Sequence, residues 1–186
     1  AGGAPDGTVT APPDVLAHVC GYQNVTVILN GDAVDERVGA ELAASISSGC
    51  ATAPTVRSLD QNTPGLLDPV THAPLLGPND LGVFGGDVFY QLVMRYLVVS
   101  LSPIITSEAG GRYSVTRRDT GATLVDVPLD AITAAHDFGV VQIIHDPATE
   151  STLVTANGHF FCGTLAASYF FTLAASYFFA IEIVKK

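Results

Sequence analysis

Residues 24–47 read NVTVILNGDAVDERVGAELAASIS, and this stretch decides the fold. It opens with β-branched and aliphatic residues, which are typical of a strand, and the run ends at Asn30-Gly31-Asp32, a turn signal. Asp32 is a favourable N-cap for a helix predicted to run from Ala33 to Ser47. A strand, a short turn and a helix in this order form the first half of a βαβ unit, which predicts the α/β class.

The predicted helix has one apolar face. An apolar residue recurs every four positions, as expected for a helix that packs on a sheet: Val34, Val38, Leu42 and Ile46. A second helix is expected from Asp87 to Val99, directly after Gly85-Gly86. Because the two glycines follow a buried apolar run, they predict a tight turn with positive φ rather than a phosphate-binding loop.

Further segments have the composition of strands, and two of them flank the hairpin signal Asp119-Thr120-Gly121. We therefore predict a βαβ-type sheet core with helices packed on it and an appended β-hairpin. The predicted strands are 55–59, 81–84, 113–116, 123–127, 140–145 and 151–156.

The chain is predicted to consist of a flexible N-terminal tail, 1–18, and a single α/β domain, 19–186. Residues 1–13, AGGAPDGTVTAPP, are small, polar and rich in proline, and they lack an initiator methionine. This is typical of a mature chain after signal removal, and a trimmed expression product would look the same. Thr8-Val9-Thr10 has strand composition and is predicted to add to the sheet edge of a neighbouring copy.

The cysteines carry information through their positions. A Cys20–Cys50 disulfide would close a loop of about 30 residues. In the chain-entropy model, closing such a loop stabilises the fold by roughly 3–4 kcal/mol. Two buried thiols are the alternative. No spacing of Cys and His residues resembles a zinc or haem site. Asn24 begins the sequon Asn-Val-Thr, so we predict a glycosylated asparagine in an exported chain.

The C-terminal segment, 160–186, contains the octapeptide TLAASYFF at 164–171 and again at 172–179. Residues 160–181 carry no charged side chain and are long enough to cross a bilayer. We predict a buried apolar helix followed by a terminal strand near Glu182-Ile183-Val184. A membrane anchor is the alternative.

The charge balance excludes one class of partner. The chain has 18 acidic and 8 basic residues and a net charge of −10, whereas nucleic-acid binding needs clustered Lys and Arg. The acidic surface suits cations. In α/β folds, ligands bind at the carboxyl ends of strands, where Asp32 and Asp87 are expected. No cofactor is predicted other than Ca²⁺, which these carboxylates could bind. A solvated acidic surface without a bound cation is the alternative.

No catalytic signature is present in the sequence. The motifs H-E-x-x-H, G-x-S-x-G and S-x-x-K are all missing, and the five histidines are scattered. Asp32, Asp35 and Glu36 could form an acid/base site, but helix capping and the helix dipole account for them. The chain is therefore predicted not to be an enzyme.

Several segments resemble archaeal surface-layer proteins. The run 138–144 followed by Asp146-Pro147 is similar to their "GVIQ" strand and turn, 153–156 to the "LVVAG" strand, and 163–167 to the "GTxAA" helix start. The run 79–86 is similar to their "NLVLVGGP" strand and turn, although Asp87 replaces the usual proline. Residues 27–44 resemble their first strand and helix, and also bacterial cell-wall-binding repeats.

This resemblance spans 24–179 and implies a secreted structural subunit at the cell surface. Its partners would be copies of itself, assembled into a layer, a filament or a tube. The alternative is a binding module for cell-wall polymer or glycan. For that function the protein would be a monomer, and Tyr90, Tyr96 and Tyr113 would line an aromatic groove. Packing of these rings in the core is the alternative.

Overall fold

A computed structural model describes residues 19–133, 137–159 and 181–183. Its order of strands and helices is α/β, as predicted from the sequence. The elements are β1 (Asn24–Leu29), α1 (Ala33–Gly49), β2 (Thr55–Asp60), β3 (Asp80–Gly85), α2 (Leu92–Ser100), β4 (Ile104–Ala109), β5 (Arg112–Arg117), β6 (Thr123–Pro128), β7 (Gly139–Asp146), β8 (Ser151–Gly158) and β9 (Ile181–Ile183).

The strands form a six-stranded sheet in the order β2-β1-β3-β8-β7-β9 and a three-stranded sheet in the order β4-β5-β6. In the larger sheet β1 pairs in parallel with β2 and β3, and β3 pairs in parallel with β8. The strands β7 and β8 form an antiparallel hairpin, and β9 runs parallel to β7. The sheet is therefore mixed, and its parallel half contains the βαβ unit predicted from residues 24–47.

Helix α1 packs on one face of the large sheet. Three of the four stripe residues are fully buried there: Val38, Leu42 and Ile46. They pack against Val25 and Val27 of β1 and against residues of β3 and β8. Burial of these aliphatic side chains contributes about 1.5–3 kcal/mol each, before the conformational entropy cost.

Glycines let α1 approach the sheet backbone. A Cβ at Gly39 would lie 3.0 Å from Val27 Cγ1 and 3.5 Å from the α-carbon of Phe84. A Cβ at Gly85, the last residue of β3, would lie 2.8 Å from the Asp35 carbonyl oxygen. The helix therefore rests directly on the end of β3.

Helix α2 covers the opposite face, where Ile28, Phe84 and Leu153 are buried. It begins at Leu92, so the predicted start at Asp87 was wrong. The Asp87 carboxylate accepts the Phe89 amide at 2.8 Å and closes a turn instead. Gln91 is extended, and its side-chain amide donates to the Ile28 carbonyl at 3.2 Å.

The predicted hairpin belongs to a three-stranded sheet, because β4 also pairs with β5. Strand β4 was not predicted from the sequence. Gly110 and Gly111 join these strands with φ of 59° and 73°, as a two-residue hairpin turn requires. Buried residues of this sheet pack on β7 through Val140.

The Cys20–Cys50 disulfide is present, which confirms the predicted pairing over the alternative of two thiols. Cys50 is the C-cap residue of α1, and Cys20 precedes β1. The bond therefore ties the start of the described chain to the end of the helix.

Several predictions concern residues outside the described ranges. These are the pairing of Thr8-Val9-Thr10 with a neighbouring copy and the apolar helix after residue 160, which would contain the TLAASYFF repeats. Strand β9, Ile181–Ile183, overlaps the terminal strand predicted near Glu182-Ile183-Val184. None of the helices in the described ranges has the length and hydropathy needed to cross a membrane.

Replacing both disulfide cysteines, Cys20→Ser with Cys50→Ser, should lower the free energy of unfolding by roughly 3–4 kcal/mol, because the unfolded chain is no longer looped. Thermal denaturation followed by circular dichroism should show a midpoint roughly 10 °C lower. Reductant should shift the parent protein to the midpoint of the variant and leave the variant unchanged. Equal midpoints for the oxidised parent and the variant would contradict the assignment.

Candidate functional site

The turns after β1 and β3 lie at the same edge of the large sheet. The two strands are parallel and in register, with Val27 opposite Val83. The turn Asn30-Gly31-Asp32 therefore lies beside Gly85-Gly86-Asp87, as expected for the carboxyl ends of parallel strands. Strand β8 ends at this edge too, where the Ala156 carbonyl accepts the Gly86 amide at 3.1 Å.

Asp32 is engaged by the start of α1. Its Oδ1 accepts the backbone amides of Val34 and Asp35 at 2.9 and 3.1 Å. Its own amide donates to Asn30 Oδ1 at 2.9 Å. Asp32 is thus the N-cap, as the sequence predicted, and one of its carboxylate oxygens is used by the helix.

Asp35 lies at the centre of this edge, a position that its predicted role at the start of the helix did not indicate. Asn30 Nδ2 donates to Asp35 Oδ2 at 2.8 Å. On its other side the carboxylate packs against Gly86, where a Cβ would lie 2.1 Å from Oδ2. Gly86 also has a φ of 99°, so a glycine is required at this position both by the backbone conformation and by the lack of room for a side chain.

Burial raises the pKa of the Asp35 carboxyl, the hydrogen bond from Asn30 lowers it, and the nearby charges of Asp32 and Asp87 raise it again. The net effect raises the pKa of the Asp35 carboxyl above its usual value. Folding therefore makes it harder to ionise this carboxyl than in the unfolded chain. Asp32, Asp35 and Asp87 form one electrostatic group, which we call the acidic edge.

The acidic edge has not been shown to bind a metal. Throughout 19–133 and 137–159, no three His, Cys, Asp or Glu side chains are grouped so as to hold an ion. The Asp87 carboxylate is engaged by the Phe89 amide. Calcium binding by Asp32 and Asp87 stays a prediction.

An aromatic pair projects from the turn that follows the acidic edge. The side chains of Phe89 and Tyr90 are 74% and 59% exposed. The backbone beneath them is fixed, because Arg95 donates to the carbonyls of Val88 and Phe89 at 2.7 and 2.8 Å. Gln61 Nε2 donates to the Tyr90 carbonyl at 3.0 Å. Two large apolar rings are thus presented to solvent on an ordered support.

The predicted groove of three tyrosines is not present. Tyr113 is buried in the small-sheet core, and burial, followed by the charges of Asp137 and Glu108, raises its pKa to about 12. Tyr96 is half-buried and donates its hydroxyl to Asp146 at 2.6 Å. Of the three, only Tyr90 presents an exposed ring.

A buried polar stripe lies on the α2 face of β7 and β8, and the sequence analysis missed it. Gln142 and Thr155 are register partners, and Asn157 follows on the same face. Within the described ranges, three atoms of these side chains are buried without a hydrogen-bond partner: Gln142 Nε2, Thr155 Oγ1 and Asn157 Oδ1. Gln142 inside the apolar run VVQIIH was the available signal.

Asn24, the predicted glycosylation site, is the first residue of β1 and is half-buried. The backbone amide of Asn24 donates to the backbone carbonyl of Asn79 at 3.1 Å. The sequon residue Thr26 is fully buried, and its hydroxyl donates to Asp80 at 2.8 Å. Glycosylation of Asn24 stays a prediction.

Comparison of the chain with protein families, with characterised proteins and with solved structures finds no match.

Asp35→Asn should raise the thermal midpoint at neutral pH, because the amide keeps an acceptor for Asn30 and removes the burial penalty of the charge. The gain should stay below about 1 kcal/mol, since solvent screens a half-buried carboxylate. A carboxyl whose pKa is raised on folding stabilises the fold at low pH and loses that contribution as the pH rises through the folded-state pKa. The difference in thermal midpoint between the variant and the parent should therefore shrink as the pH is lowered toward about 4.

The matched control is Glu36→Gln, which removes a neighbouring carboxylate outside the contact with Gly86. A midpoint for Asp35→Asn that rises no further than that of the control at neutral pH would contradict the assigned burial penalty.

Proposed function

We propose that this protein is an extracellular structural subunit that assembles with copies of itself into a layer, filament or tube at the cell surface. It is not an enzyme in this proposal. The resemblance to archaeal surface-layer proteins, carried by the strand and turn segments of residues 24–179, motivates it. The disulfide supports export, because such bonds persist in oxidising compartments.

The observation that carries the proposal is the open side of the large sheet. Among the described strands β2 forms one edge of this sheet and β9 the other, and five of the six residues of β2 are exposed. Parallel strands are usually covered on both faces, whereas β2 contributes only Leu59 to the core clusters of the described chain. An uncovered strand of this kind is a template for pairing with another chain.

Negative-stain electron microscopy of the purified protein, with and without Ca²⁺, should show polymers. Deleting 1–13 should reduce them to monomers, because the tail that carries Thr8-Val9-Thr10 supplies the link between subunits. The deletion ends before Cys20, so an unchanged thermal midpoint is the control for folding. Uniform monomers of the intact chain in both conditions would reject the proposal.

A second candidate function is a binding module for cell-wall glycan. The exposed rings of Phe89 and Tyr90 favour it, because aromatic faces stack on the apolar faces of sugar rings and their support is fixed by Arg95.

For this second function, co-sedimentation with cell-wall material should retain the intact protein. Replacing both rings, Phe89→Ala with Tyr90→Ala, should weaken retention about tenfold or more, since lost aromatic contacts commonly cost above 1 kcal/mol. Val70→Ala is the matched control, because Val70 is 85% exposed and not aromatic. Equal retention of both variants would exclude the aromatic pair.

A further inference from the structure

The outward side of β2 carries unpaired backbone groups. The backbone amides of Thr55 and Gln61 donate to the backbone carbonyls of Gln23 and Leu29 at 2.9 and 2.8 Å. The backbone N–H groups of the odd-numbered residues of β2 therefore point toward β1. Successive residues of a strand alternate in direction, so the amides of Val56, Ser58 and Asp60 point away from the sheet. Within the described ranges, nothing pairs with this side of β2.

This edge lacks the usual protection against pairing. Edge strands are commonly blunted by proline, by bulges or by charged side chains, and β6 has Asp126 and Pro128. Strand β2 reads TVRSLD, with no proline and with a regular register against β1. Of its two charged residues, Arg57 reaches over the neighbouring strands to Asp80. Asp60 is the last residue of the strand, and its carboxylate accepts the Asn62 backbone amide at 2.7 Å.

Arg57 holds the edge in place. Its Nη2 atom lies 2.5 Å from Asp80 Oδ2, and its Nε donates to Thr26 Oγ1 at 2.9 Å. Asp80 is buried at the start of β3, so the pair links β2 across β1 to the core of the sheet. The open strand is therefore fixed before any partner binds, which reduces the entropy cost of pairing.

We infer that the open side of β2 is the acceptor edge for Thr8-Val9-Thr10 of a second copy, an inference that rests on the proposed self-assembly. Six residues, Asp6 to Ala11, lie between Pro5 and Pro12 and span about 20 Å when extended, which matches the six residues of β2. Asp6 is charged, but Thr8-Val9-Thr10 and their neighbours Gly7 and Ala11 are not, so the donor segment itself does not repel a chain of net charge −10.

The chain outside the described structure is long enough for this exchange. Residues 11–18 separate the donor segment from Val19 and span about 26 Å when extended. Val19 lies near Gln23, whose carbonyl accepts the first amide of β2. A tail of this length can reach a neighbour's edge or its own, so the experiment separates the two.

Ser58→Pro removes one outward amide and leaves the bonds to β1 intact, as is tolerated at a strand edge. Polymers should be lost, while the circular dichroism spectrum stays that of the parent. Ser58→Ala keeps the amide and should polymerise like the parent. Polymers formed normally by a folded Ser58→Pro variant would overturn the inference and leave the proposed function standing.

Mixing two non-assembling variants gives a stricter test. Ser58→Pro keeps a donor tail without an acceptor edge, and the chain lacking 1–13 keeps the edge without the tail. Equimolar mixing should give one-to-one dimers by light scattering, whereas each variant alone stays monomeric. The absence of dimers in the mixture would overturn the inference.

Disulfide trapping tests the same contact without proline, in a Cys162→Ser background. A Val9→Cys chain mixed with a Ser58→Cys chain should form a cross-linked dimer on a non-reducing gel. Ser107→Cys on β4 is the matched control and should not cross-link. A Val9→Cys chain that cross-links to Ser107→Cys and not to Ser58→Cys would overturn the inference. A third chain carries both Val9→Cys and Ser58→Cys, and a cross-link formed only within that chain would also overturn the inference. Failure of the intact chain to polymerise, with these mixtures still cross-linking, would reject the proposed function alone.

Discussion

The close contact between α1 and the end of β3 is the constraint on which the described fold depends. At Gly39, Gly85 and Gly86 a side chain would meet Val27, Val38 or Asp35 at 3.0 Å or less. Because these positions are glycines, the helix lies on strand backbone and its aliphatic stripe enters the core. The same contact half-buries the Asp35 carboxyl, so packing and the electrostatics of the acidic edge have one origin.

Much of this architecture is predictable from local sequence. The β-branched run before Asn30, the four-residue spacing in α1 and the cap at Asp32 each follow from backbone preferences within a few residues. The predicted start of α2 was wrong because one long-range contact and one local turn decide where the helix begins. Gln91 is held extended by the Ile28 carbonyl, and Asp87 closes a turn of its own.

The candidate site was predictable in part. Parallel strands bring their carboxyl ends together, so Asp32 and Asp87 could be placed at one edge from the sequence. The importance of Asp35 depends on Gly86, which is distant in sequence, and the stripe of Gln142 and Thr155 depends on strand register. The exposure of β2 depends on strand order, which no local pattern encodes. The missed strand β4 is different, since Gly110-Gly111 was a usable hairpin signal.

The Cys20–Cys50 bond also determines how the molecule would carry tension. A pull on residues before Cys20 enters two covalent routes, one along the backbone into β1 and one through the sulfur atoms into the end of α1. The load is therefore shared between a strand with neighbours on both sides and a helix buried along one face. A domain built in this way resists being unravelled from its first strand.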